Sequence, residues 1–325
     1  MADKTLLIGD IGGTNARFAL AHSQQPGFHD PITLKCADFA SADDAIRHYL
    51  DEASAESPEV ICLAVAGPII ENTVQVTNNH WTLNVAEIAA DFAIDAVQLL
   101  NDFEAVAYAI PQLQAEETQT IALPDMRPLS DKHFNVAIIG PGTGLGTAGL
   151  VRRGDVLIPI VGEGGHVGFA PKSQVQVEIR SALRNKFDRV SVERLVSGSG
   201  IENIYWALTL IHGEQRTQLT ASEIFTKSGD GSDPRATEAT HMFFEILGQV
   251  AGDLALTMGA EDGVYIAGGI AKRYPQMLAN SGFRNAFDNK GRHRAYMERI
   301  PTMLITHDEP GLLGAAYCAL ELASS

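Results

Sequence analysis

The chain has 325 residues, 45% of them hydrophobic and 20% charged, which is the balance of a folded chain long enough for two lobes. Forty acidic residues against 24 basic ones leave a formal charge of −16. That surplus excludes polyanion binding through a general basic field, so neither nucleic acid nor an anionic membrane is an expected partner.

In chain order, Thr5–Gly9 reads as a strand, followed by a glycine turn and a second strand, Ala16–Ala21. Ile32–Ala37 reads as a third. Ser41 caps a helix running to about Ala53, with Asp44 in the capping-box position. Val60–Val65 is a continuous apolar run, as in a buried strand. A helix starts at Asn84 with Glu87 in the box position. Val97–Leu100 is a short strand, and Asp102–Ile110 a helix that Pro111 stops. The polar stretch 116–132, with Pro124 and Pro128, reads as a connection between lobes.

The opening pattern then recurs: strand Val136–Ile139, a glycine turn, strand Thr147–Arg152. Ala182–Phe187 ends one helix and Gly200–His212 forms another. Pro234–Met258 is a long helix with proline at its first position. Gly263–Ala267 is a buried strand running into Gly268-Gly269, Met303–Thr306 a last strand, and Leu312–Leu322 a last apolar helix.

Two glycine turns carry the chemistry. Gly9-Asp10-Ile11-Gly12-Gly13-Thr14-Asn15 leads into Ala16-Arg17-Phe18-Ala19-Leu20, where strand formers dominate. The turn is therefore a hairpin tip, not the strand-to-helix turn of a dinucleotide or P-loop fold, and no GK[ST] occurs. Its amides and the Thr14 hydroxyl suit phosphate oxygens, and the Asp10 carboxylate suits Mg²⁺, directly or through water. An ordinary tight hairpin would use the same residues. Gly140-Pro141-Gly142-Thr143-Gly144-Leu145-Gly146-Thr147 repeats the plan, and a pair of such tips on two lobes would clasp a triphosphate.

Asn101-Asp102 closes a strand and opens a helix. A carboxylate there is held rigidly, although Asp is also a good helix cap, and the Asn101 amide suits a sugar hydroxyl. Gly162-Glu163-Gly164-Gly165-His166 presents two polar side chains among glycines. It lacks a third nearby ligand for zinc, so hydrogen bonding to a small polar ligand is the better reading. Glu193, early in a helix, reads as a solvated residue or as a contributor to the same ligand. Val264-Tyr265-Ile266-Ala267-Gly268-Gly269 ends a buried strand with room for a flat ring such as adenine.

Together these stretches resemble the bacterial glucokinases of the non-ROK branch, in the sugar kinase–Hsp70–actin superfamily. GDIGGTNARFAL and GPGTGLG resemble the two phosphate motifs, VYIAGGI the adenosine motif, and NDFEA, GEGGHVGF and SVERLVSGSG the sugar-site stretches. HDEPGLLGAA is similar as well, and the cysteine-rich zinc motif of the ROK sugar kinases is missing. The resemblance implies a two-lobed α/β fold of the ribonuclease H-like, actin-like ATPase type with a central cleft. The small domain would cover 1–110 and 309–325, the large one 111–308.

It implies ATP-dependent phosphorylation of glucose at the 6-hydroxyl, with Mg²⁺, in a cytoplasmic homodimer. Asp102 matches the catalytic base, and Asn101, Asp102, Glu163, His166 and Glu193 match the sugar-binding residues. Asn79, in the segment Thr77–Trp81, matches a sugar-side loop loosely. Gly9, Asp10, Ile11, Gly12, Gly13, Thr14 and Asn15 match the phosphate stretch, with Gly142, Thr143, Gly268 and Gly269 on the nucleotide's other side. Rival readings keep the superfold but take another hexose or acceptor, or a non-catalytic ATP sensor. A reducing compartment fits the three cysteines, Cys36, Cys62 and Cys318, which lack CxxC spacing. The opening MADKTLLIGD turns polar too early for a signal sequence, and no apolar run reaches the ~18 residues of a membrane span.

Overall fold

The computed structural model describes residues 3–122, 124, 127–214 and 218–324. The chain divides into two compact units, Met1–Gln114 with His307–Ser325, and Ala115–Thr306.

The first unit is built on β1 (Thr5–Ile11), β2 (Asn15–His22), β3 (Gln25–Lys35), β4 (Val60–Val65) and β7 (Ala96–Asn101), in the order β3-β2-β1-β4-β7. The small hairpin β5 (Thr73–Gln75) and β6 (Thr82–Asn84) stands apart from that sheet. β1 runs antiparallel to β2 and parallel to β4, and β4 parallel to β7. Strand periodicity divides β1 and β4 between two cores. Leu7, Ile11, Ile61, Leu63 and Val65 face α1 (Ala42–Glu52) and α2 (Val85–Phe92), among Ala45, Ile46, Tyr49 and Ile88. Leu6, Ile8, Val60, Cys62 and Ala64 face the other way, toward Leu312, Ala315, Ala316 and Ala319 of the C-terminal helix, Pro310–Ser324. Both faces are covered, which is why these strands read as unbroken apolar runs.

Helix α3 (Asp102–Ala109) lies against that C-terminal helix. The approach is so close that a Cβ at Gly314 would overlap the carbonyl of Ala105. A Cβ at Gly311, one turn earlier, would lie 2.8 Å from Oδ2 of Asp10. The two glycines of the closing motif are thus required by packing.

The second unit repeats the plan. β9 (His133–Pro141), β10 (Leu145–Arg153), β11 (Val156–Gly162), β12 (Gly263–Ile266) and β13 (Thr302–Ile305) lie in the order β11-β10-β9-β12-β13. β9 is antiparallel to β10 and parallel to β12. The 116–132 stretch is more than a connection. Its Thr118–Ala122 segment is β8, an edge strand antiparallel to β13. Its threonines suit a pleated, half-buried position that a hydrophobicity pattern does not flag. Leu123, Asp125 and Met126 of that stretch lie outside the described residues.

Helices α4 (Gln174–Arg184), α5 (Gly198–Ile211), α6 (Ala221–Gly229) and α7 (Pro234–Met258) carry the core of this unit. The short helices α8 (Gly269–Arg273), α9 (Pro275–Ala279), α10 (Phe283–Asp288) and α11 (Arg294–Met297) lead to β13. α7 has Asp233 as its cap and Pro234 at its first position, and ends on left-handed Gly259. α3 stops at Ala109, and Pro111 lies in the 3-10 turn that follows it.

Gly314→Ala separates two effects of opposite sign. Helix propensity alone would stabilise by about 1 kcal/mol, whereas overpacking costs about 1–3 kcal/mol. We expect destabilisation, read as a lower urea midpoint.

Candidate active site

In the first unit the turn between β1 and β2 is braced from outside. The Gly12 N–H donates to the Asn15 carbonyl at 2.9 Å, and the Cys36 N–H to the Thr14 carbonyl at 2.9 Å. The Asn79 side-chain amide donates to the Gly12 carbonyl at 3.3 Å, and its oxygen accepts from the Trp81 N–H. A Cβ at Gly13 would lie 2.9 Å from the Thr77 carbonyl. The carbonyls of Gly12 and Thr14 are occupied in this way. Among the described residues no protein acceptor takes the amide N–H of Gly13 or Thr14. Two unclaimed donors at a hairpin tip form a small anion cradle.

Asp10 stands just before this tip, paired with Arg17 across the hairpin. As a residue it keeps intermediate exposure, yet its carboxyl is crowded beneath Gly311. Burial first, then the negative charge of Asp102, pushes its pKa up to about 6; Arg17 opposes the shift and Glu309 adds to it. Arg17 is held by Glu309 at 2.8 Å and by the Thr33 hydroxyl at 3.2 Å. Arg17 thus bonds Glu309 and tempers the charge on Asp10.

Asn101 is the helix cap. Its Oδ1 accepts from Phe103 N–H at 3.0 Å and Glu104 N–H at 3.4 Å. Glu104 returns the bond to the Asn101 N–H at 3.2 Å, completing a capping box. The Asn101 amide also donates to the Gly67 carbonyl at 3.3 Å. Asp102 is thus the first helical residue, not the cap, and the role that Asp often plays at this position is filled by its neighbour. Its Oδ1 accepts from Phe103 N–H at 2.9 Å, which fixes the carboxylate at the strand end.

In the second unit, the turn between Pro141 and Leu145 is one residue shorter than the first. Register closes Pro141 on Leu145, whereas the first closes Ile11 on Ala16. Gly142 N–H donates to the Gly144 carbonyl at 2.9 Å, and Gly198 N–H to the Gly142 carbonyl at 2.8 Å. Thr143 is exposed at the tip. Glu193 lies in a 3-10 turn, Val192–Arg194, rather than early in a helix; the helix starts only after the Ser197 cap. Its Oε2 accepts from the Leu145 N–H at 3.0 Å.

Glu163 and His166 are exposed, their side chains 3.8 Å apart. The Thr147 hydroxyl clamps the backbone on both sides of Glu163, accepting from Gly164 N–H at 3.0 Å and donating to the Gly162 carbonyl at 3.3 Å. The Val192 N–H donates to the Val167 carbonyl at 3.0 Å. Glu163, His166, Glu193, Gly142 and Thr143 thus belong to one packed neighbourhood. Gly268, at φ +83°, lies against Pro141, whose oxygen would be 2.5 Å from an added Cβ. Gly269 opens α8 with nothing within 4 Å of its Cβ direction.

Asn101, Asp102, Asn79 and the Gly9–Asn15 stretch gather in one unit, the rest in the other. Sequence reasoning missed Arg17, Glu309 and Thr147 as supports. Arg17 and Glu309 lay in plain view inside the two motifs that closed on each other, TNAR and HDEPG. Thr147 had no signal beyond its place after a glycine run.

A family model described as glucokinase matches residues 7–322. A glucokinase of Caulobacter vibrioides is 42% identical over 316 residues, covering 95% of this chain and 93% of its own. One from Chromohalobacter salexigens is 41% identical, covering 95% of each. The chain belongs to the glucokinase family. A crystal structure of glucokinase from an Antarctic psychrotroph superposes with a TM-score of 0.88 at 35% identity, over 98% of this chain and 99% of that one. The family's actin-like α/β fold accounts for the repeated strand order of the two units.

The raised Asp10 pKa carries a signed consequence. A carboxyl whose folded-state pKa exceeds its unfolded value contributes stability below the unfolded pKa and loses it as pH rises through the folded one. The window runs from about 3.8 to about 6. Asp10→Asn, which mimics the neutral acid, should therefore gain thermal stability over the parent as pH rises through that window and hold the gain above it. Difference melting curves between pH 4 and 8, without nucleotide, make the check.

Proposed function

We infer that this chain transfers the terminal phosphoryl group of ATP to the 6-hydroxyl of glucose, giving glucose 6-phosphate and ADP, as in the first step of glycolysis. The observation that carries the reading is the division of labour at the start of α3. Asn101 does the capping, and the adjacent Asp102 carboxylate is held at the strand end by the Phe103 N–H, in a chain that matches the glucokinase family almost end to end. The two compact units are taken as the small and large domains.

Phosphoryl transfer is chiefly positioning and charge stabilisation. Asp102 orients the primary hydroxyl and accepts its proton. The transition state is loose and the proton leaves late, so an ordinary carboxylate serves. Asn101, Glu163, His166 and Glu193 pair the ring hydroxyls. Asn79 bonds backbone through its amide and its oxygen and also bonds the Cys36 side chain, so a sugar contact would use the second lone pair of its oxygen. Sites built to pair a hydroxyl reject analogues lacking it by as much as 10⁴–10⁵. The Gly12–Asn15 tip and the Gly142–Gly144 tip hold phosphates, and Gly268-Gly269 leaves room for the base.

Magnesium fits the donor set. Asp10 is a hard oxygen donor with a second carboxylate, Asp102, acting on it, which suits a hard divalent ion. Among the described residues no group of three or more His, Cys, Asp and Glu side chains is placed to cage a metal; Asp10 would hold the ion, directly or through water. Bound there, it would neutralise charge on the phosphates.

Cytoplasmic residence is supported by three free cysteines, which a reducing compartment would keep unpaired. A homodimer is supported by the exposed apolar row Val156, Ile158 and Ile160 on β11.

Asp102→Asn should fold normally and lose about 10²–10⁴ in kcat, with glucose binding little changed; a coupled ADP assay and calorimetry measure the two. Glu163→Gln should weaken glucose binding more than ATP binding. Initial rates across a hexose panel, then across donors, test the assignment itself, and a wild-type protein inactive on every hexose would overturn it.

A further inference from the structure

The geometry points to Glu193 as the residue that couples hexose binding to nucleotide binding, because one of its carboxylate oxygens is already bonded to the nucleotide-side glycine turn. This rests on the reading above, in which Glu193 meets the sugar and the Gly142–Gly144 turn meets phosphate.

Four observations carry it. Oε2 of Glu193 accepts from the Leu145 N–H at 3.0 Å, the residue at which the turn rejoins its strand. A Cβ at Gly144 would lie 2.6 Å from that same oxygen, so position 144 must be bare for the carboxylate to reach its donor. The turn is also tied to the segment after Glu193 through Gly198 N–H on the Gly142 carbonyl. Behind it, Gly165 of the sugar loop sits on the Leu145 carbonyl with no room for a Cβ. The turn and the sugar-side residues therefore cannot shift independently.

The other carboxylate oxygen, Oε1, has no such commitment to the turn. A hexose hydroxyl that bonds it draws on a group whose partner oxygen fixes Leu145, and phosphate on the turn acts back along the same bond. Charge-assisted bonds of this kind are stronger and more directional than neutral ones. Coupling between two sites is reciprocal: glucose must tighten nucleotide binding by the factor by which nucleotide tightens glucose.

The experiment is a thermodynamic cycle by calorimetry, with glucose and with Mg·AMPPNP, each measured with and without the other at saturation. In the wild type, each ligand should tighten the other by about 5–150-fold, the usual range of site-to-site coupling. Glu193→Gln should bring that factor toward one. Glu163→Gln is the control: it touches sugar but has no bond to the turn, so it should weaken glucose while leaving the factor intact. If Glu193→Gln does not fold, Gly144→Ala reads the same contact from the other side, and the factor should fall there too.

A wild type that turns over glucose but shows no coupling overturns the inference, as does full coupling in the folded variant. Equal loss of coupling in Glu163→Gln also overturns it, since any weakened sugar contact would then suffice. A wild type that does not bind glucose at all would instead remove the functional reading beneath it.

Discussion

The contact between the C-terminal helix and the start of the chain is the constraint on which the first unit depends. Strand β1 has two apolar faces, and only one is covered by helices that follow it closely in sequence. The other waits for residues 310–324, some 300 positions later. Gly314 lets that helix settle against α3, and Gly311 brings it over the Asp10 carboxyl. The same contact that completes a hydrophobic core therefore sets the electrostatics of the corner around Asp10. Core packing of this density tolerates little displacement, so Asp10, Asp102 and Arg17 are placed as rigidly as the strands beneath them.

That corner holds more negative charge than its one arginine balances. Burial of the Asp10 carboxyl first, and the neighbouring charge of Asp102 after it, push its pKa up to about 6. A buried carboxylate beside a like charge is stabilised by any cation that neutralises it. The hairpin tip next to it offers a different device, the unclaimed amides of Gly13 and Thr14, which attract an anion without the positive field that a chain of charge −16 lacks. The two devices answer the same difficulty that composition posed at the outset.

Much of this was legible in the sequence. β4 and α7 have the limits their patterns predicted, since one is an unbroken apolar run and the other begins on Asp-Pro and ends on glycine. The hairpin nature of both glycine turns followed from the strand formers after them. What stayed hidden was edge structure and support. Thr118–Ala122 carries no apolar period, and β11, with its Pro159, breaks the usual strand signature. The cap at α3 falls on Asn101 rather than Asp102, a one-residue distinction that both side chains could satisfy chemically. Thr147 shows its purpose only once Gly162 and Gly164 are seen on either side of its hydroxyl.

The return of the C-terminal helix to the first sheet also orders events during synthesis. The unit spanning Ala115–Thr306 is continuous in sequence and has all its core residues once position 306 has been translated. The unit built on β1 is discontinuous and keeps one apolar sheet face exposed until residues 310–324 emerge from the ribosome. Vectorial folding usually favours the N-terminal portion; here the later segment is equipped to finish first, and a nascent chain halted before residue 310 carries an uncovered sheet for chaperones to guard.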